Sequence, residues 1–231
     1  MNKIACFLFV AVATLASGTT LYDSNAALTG SRSVGGGGLA DGGGTGYDTL
    51  TLAWEITQIG DGTFNYTYTI DGFSSPALGN IVLNLSDTCV VNGATTSPCI
   101  NNAQINGSKA TMLFDHFCDG CQGSSTTGLP ADIIGVEFPK VPQGSPVIIT
   151  FNSPSAPVWG DFYLKGGQEF VYNLGNLNHA DALELDFVAR PDTDATVQAT
   201  APEPATLGVA GAALVLLGLV GRRKKLVGAA Q

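Results

Sequence analysis

Cys118-Asp119-Gly120-Cys121, with His116 just ahead of it, is the densest group of reactive side chains in this 231-residue sequence. Three chemistries use those residue types. A redox dithiol needs its thiol at a helix N-terminus, where the dipole lowers the thiol pKa. Here the polar run from Gln122 to Gly128 follows instead. A zinc site needs a fourth ligand, and no second Cys/His pair stands at a matching spacing. A disulfide needs only an oxidising compartment. Cys89 and Cys99 supply a second pair, bracketing a loop rich in Asn, Gly, Thr, Ser and Pro, while Cys6 lies in an apolar N-terminal run. Four cysteines allow three connectivities. Cys89 with Cys99 and Cys118 with Cys121 is the favoured pairing, and the crossed pairings remain open. Closing the first loop would constrain the unfolded chain by about 3 kcal/mol in the chain-entropy model.

Catalytic constellations are harder to find. Neither His116 nor His179 stands beside a Gly-x-Ser-x-Gly elbow or a His-Glu-x-x-His helix. Glu184 and Asp186 form a carboxylate pair of the kind glycosidases use, but alternate positions on a half-buried strand turn both to solvent with no catalytic demand. The expectation is a non-enzyme with no catalytic residue, metal or cofactor. Trp159 and Tyr163 are the candidate glycan contacts, because an aromatic face is a platform for a sugar ring.

The elements that must position these residues are strands. Leu50, Leu52, Trp54 and Ile56 alternate with polar neighbours, and after Gly60-Asp61-Gly62 the pattern resumes at Phe64, Tyr66, Tyr68 and Ile70, which predicts a hairpin with one apolar face. Similar alternation predicts strands at 81–85, 134–138, 147–151 and 183–187, with shorter ones at 161–165 and 169–172. Helix signals are nearly absent, and the alternative, a helix-containing α+β domain, would place a helical turn at 173–183. The fold class is therefore all-β, an antiparallel β-sandwich of immunoglobulin-like or jelly-roll type. The expected organisation is a signal peptide at 1–18, a Gly-rich flexible leader at 19–46, the sandwich at 47–190, a polar spacer at 191–201 and a tail at 202–231. The glycines around Asp41 and Asp48 have no period that would stack as calcium repeats.

Both ends read as addresses. Lys3, the apolar run Ile4 to Leu15 and Ala16-Ser17-Gly18 have the charged, apolar and small-residue parts of a signal peptide. At the other end, Ala205 to Gly221 carries no charge and reaches roughly 25 Å as a helix, near the short end of a membrane span. Arg222, Arg223, Lys224 and Lys225 follow it and hold the cytoplasmic side. Pro202-Glu203-Pro204 keeps the helix from extending backward. Away from the ends, Arg32, Lys109, Lys140, Lys165 and Arg190 face eighteen of the nineteen acidic residues, Glu203 lying in the tail, a balance near −13 where the whole chain has −9. Nucleic acid is excluded as a partner, since phosphate binding needs clustered basic residues.

The proline-flanked glutamate, short apolar span and basic end, in that order, resemble the PEP-CTERM sorting tail. Trp159-Gly160-Asp161-Phe162-Tyr163-Leu164-Lys165-Gly166-Gly167 followed by Phe170-Val171-Tyr172-Asn173, and the cysteine pairs upstream, look like the bodies of many exported proteins that carry this tail. The resemblance implies an exosortase as processing partner, with Pro202, Glu203 and Pro204 as the residues it reads. It also implies transient anchoring in the inner membrane of a Gram-negative cell, with delivery to the envelope, outer surface or extracellular matrix. The expected role is structural or adhesive within an exopolysaccharide matrix or biofilm, and the alternative is a carbohydrate-binding module acting on that polysaccharide.

Overall fold

Trp54 faces Tyr68 across two neighbouring strands, with Leu52 against Ile70 and Ile56 against Tyr66, in the register that puts every apolar residue of the hairpin on one face. A computed structural model describes residues 25–44, 46–60, 62–177 and 182–191 of the chain. The expected hairpin is β3 (Thr51–Gln58) and β4 (Phe64–Asp71), the centre of a six-stranded antiparallel sheet. The sheet adds β1 (Thr29–Ser33) on one side, then β10 (Val147–Ser153), β6 (Asn101–Ile105) and β7 (Ser108–Lys109) on the other. A second six-stranded sheet runs β2 (Leu39–Asp41), β13 (Glu169–Asn173), β12 (Phe162–Gly166), β5 (Asn80–Asn84), β9 (Ile133–Pro139) and β8 (Leu113–Phe117). β11 (Pro157–Gly160) and β14 (Val188–Pro191) form a separate antiparallel pair.

The apolar faces of the two large sheets share one core. Tyr68, Ile70, Ile149 and Phe151 come from the first sheet, and Ile81, Leu83, Val136, Phe138, Phe162 and Leu164 from the second. Phe151 stacks on Tyr66 at 5.2 Å between ring centroids and on Phe138 of the opposite sheet at 6.2 Å. Each such side chain contributes about 1.5–3 kcal/mol by leaving water. The all-β, antiparallel expectation holds, with only short 3-10 turns between strands among the described residues. No helix there is long and apolar enough to cross a membrane. The expected signal peptide and the 205–221 span lie outside the described residues, as do His179 and all but the first residue of the spacer.

Two expectations need correction. Residues 29–33 and 39–41, assigned to a flexible leader that ends at 46, are instead strands in opposite sheets. Their glycines permit close approach: a Cβ at Gly30 would lie inside the Trp54 indole, and one at Gly42 inside the Phe170 ring. Arg32 anchors the segment, giving Nε to the Phe187 carbonyl at 2.8 Å and Nη2 to that of Glu184 at 2.9 Å.

The same arginine explains the second correction. The strand expected over 183–187 is a 3-10 turn at Glu184–Asp186, with Leu183 and Leu185 exposed. Guanidinium donors occupy the carbonyls of Glu184 and Phe187, and the Leu183 amide is bound by the Asp186 carboxylate at 2.8 Å. Those groups are no longer free for a ladder. A short helical turn within the expected 173–183 stretch is present at Leu174–Leu177.

Candidate functional site

Trp159 and Tyr163 are not available to a glycan. Trp159 stands on β11 with 3 % of its surface exposed, edge-on to Trp54 at 5.9 Å, and the Arg32 guanidinium lies 5.3 Å from its ring centre and 4.8 Å from that of Trp54. The cation over two indole faces is a cation–π arrangement that closes the surface a sugar would need. Tyr163, fully buried, points from β12 to the other side of the second sheet, where its hydroxyl donates to the Thr127 carbonyl at 2.9 Å. Burial, with Asp119 nearby, pushes its phenol pKa up. The glycan-contact assignment is therefore overturned by packing. Asp161 and Asn173, from the stretch that resembles exported relatives, are likewise buried: the Asn173 amide donates to Asp161 at 3.0 Å and to the Asp186 carbonyl at 2.9 Å.

The four cysteines form the favoured pairs. Cys89–Cys99 closes a loop with Cα atoms 5.9 Å apart, and Cys118–Cys121 a tight ring with Cα atoms 5.2 Å apart. All four sulfurs are thus paired with one another. His116 instead meets Asp132 at 3.1 Å on the exposed surface.

The Cys118–Cys121 ring begins a segment, 118–132, that lies across the outer face of the second sheet. Leu129 of that segment joins Val82, Phe117, Ile133 and Tyr163 in a second, smaller core. The segment is held by its own polar groups: Asp119 accepts from the Gly128 amide at 2.8 Å, and Gln122 donates to the His116 carbonyl at 2.8 Å.

It does not cover the whole face. Strand alternation places Asn80, Glu137 and Lys165 on this same outer side, on the neighbouring strands β5, β9 and β12. They line an open groove of about 320 Å³, with Ser124 and Ser125 of the overlying segment and Gly167 among the other lining residues. All three side chains are nearly covered, at 4, 4 and 6 % exposure. The Asn80 amide donates to the Ser125 carbonyl at 3.0 Å, and Lys165 Nζ donates to the Thr127 carbonyl at 3.2 Å while lying 5.4 Å from the Phe170 ring centre. Burial raises the Glu137 pKa, Asp115 adds to the rise, and a hydrogen bond from Asn80 restrains it. Burial lowers the Lys165 pKa against the attraction of Asp119. Among the described residues no ion pair joins Glu137 to Lys165.

Sequence reading missed this groove. Glu137 and Lys165 sit at ordinary outward positions of two strands, and nothing in the local pattern marks those positions as buried.

The geometry defines an antiparallel two-sheet β protein with two local disulfides and a polar groove on one outer face. The profile of the PEP-CTERM protein-sorting motif matches residues 200–225, so the chain carries that motif, which implies export, exosortase processing and sorting to the cell surface. Pro202, Glu203, Pro204 and the basic cluster Arg222 to Lys225 fall within the match and outside the described residues. No curated protein and no solved structure matches the chain.

Proposed function

We propose that this chain is a non-enzymatic, surface-sorted protein of a Gram-negative envelope, a structural or adhesive component of an exopolysaccharide matrix or biofilm. An immunoglobulin-like or jelly-roll β-sandwich forms its body. The signal peptide at 1–18 directs export, the 205–221 span holds the chain transiently in the inner membrane with Arg222 to Lys225 inside, and an exosortase reads Pro202-Glu203-Pro204. The observation that carries this reading is the sorting motif at 200–225. Two disulfides suit an oxidising compartment, and the acidic body favours solubility outside the cell.

The reading is tested by fractionating the native host. Wild-type chain is expected in the surface matrix fraction, and a Pro202→Ala, Glu203→Ala, Pro204→Ala variant in the inner-membrane fraction. Equal surface delivery of the two would contradict it. A second reading, a module that binds extracellular polysaccharide, is favoured by one observation, the groove over Asn80, Glu137 and Lys165.

A further inference from the structure

We infer that the groove over Asn80, Glu137 and Lys165 is a binding site for an uncharged, polyhydroxylated ligand the size of a single sugar ring. The inference deepens the polysaccharide-binding reading and needs only the folded body, not the sorting tail.

The outer face of the second sheet is divided in two. Where the 118–132 segment covers it, the side chains are Val82, Phe117, Ile133 and Tyr163, as packing alone requires. Beside that patch, Asn80 and Lys165 stand one outward position beyond Val82 and Tyr163, and Glu137 lies across from Val82 on β9. Burying a carboxyl and an ammonium without pairing them costs free energy that apolar residues would not. They stand on the two strands either side of β5, Lys165 across from Asn80 and Glu137 across from Val82, and among the described residues no ion pair joins them. They share an open space, and its volume lies at the small end of the range for small-molecule sites, about 300–1,000 Å³.

The chemistry of the lining selects the ligand. Lys165 keeps donor capacity beyond its bond to Thr127, and Glu137 offers a carboxyl to which a ligand O–H can donate. An anion would meet Glu137 and the acidic surface, and a cation would meet Lys165. A hydroxyl both accepts and donates, so neighbouring hydroxyls on one ring satisfy the ammonium and the carboxyl with no net charge brought into the groove. The Ser124 and Ser125 wall and the Asn80 amide add polar partners of the same kind.

The test is isothermal titration of the purified full-length chain with methyl glycosides of glucose, galactose, mannose and xylose. Glucuronate, inorganic phosphate and glycine serve as charged and zwitterionic probes. At least one neutral glycoside is expected to bind saturably and more tightly than every charged probe. Lys165→Met and Glu137→Gln should each weaken it about tenfold, the scale of one hydrogen bond to a charged group. Ser124→Trp, on the exposed rim, should abolish binding by filling the groove without altering the buried groups, and Asp132→Asn should leave it unchanged. Thermal unfolding of each variant separates lost binding from lost fold. Absence of saturable binding by all four glycosides, tighter binding of a charged probe, or unchanged affinity in Ser124→Trp would overturn the inference. None of those results bears on where the sorting tail sends the protein.

Discussion

Trp159 shows at the level of one residue how an aromatic in a promising sequence context is claimed by the core. Its indole packs against Trp54 and under Arg32, so it acts through stability. Trp159→Ala is expected to lower unfolding free energy by about 3–5 kcal/mol, the range for large aromatic truncations, as measured by chemical denaturation. Unchanged stability would mean that the indole is not packed as described. Glu137 carries the opposite kind of information, a polar group kept where packing alone would not put one. Its ordinary pKa is 4.5 and its folded value is raised, by burial first and by Asp115, against the hydrogen bond from Asn80. The folded chain therefore holds this proton to higher pH than the unfolded chain does. Stability from this group is fully present below about pH 4.5 and is lost as pH rises through the folded pKa. Glu137→Gln removes that dependence. The stability of Glu137→Gln relative to wild type should consequently rise as pH increases from 4 to 7, and a flat difference would contradict the assignment.

At the scale of the element, period-two alternation was sufficient where a strand has one face in the core and one outside it. The 51–58 and 64–71 hairpin and the 133–139 and 147–153 strands all lie where alternation places them. Strands whose residues are small and polar left no such trace. β1 reads Thr-Gly-Ser-Arg-Ser and was indistinguishable from a linker, because the signal that makes it a strand is the Trp54 ring above Gly30, supplied by another part of the chain. The 183–187 run failed in the opposite direction, since its alternation was real but Arg32 claimed its carbonyls. The groove was illegible for a related reason: outward positions carry no mark of whether a distant segment will fold over them. Gly30→Ala tests the close approach. A methyl there forces Trp54 to move and should cost about 1–3 kcal/mol of stability, the usual effect of overpacking, seen as a lower melting temperature. A stability within 0.5 kcal/mol of wild type, the ordinary surface effect, would show that β1 is not held against the indole.

For the whole molecule, the two kinds of information divide cleanly. The sorting motif at 200–225 accounts for destination, and its residues were legible because an uncharged apolar run, a basic cluster and a proline-flanked acid are written contiguously. The body accounts for what arrives: a disulfide-closed β protein with five basic residues against far more acidic ones, and a polar groove on the outer face of one sheet. Whether the tail is a processing signal or a permanent anchor is read from the intact mass of the mature protein isolated from its native host. The mass is expected to lack the apolar run and the basic end. A mass that retains Leu207 to Gln231 would contradict that expectation and leave an ordinary membrane anchor.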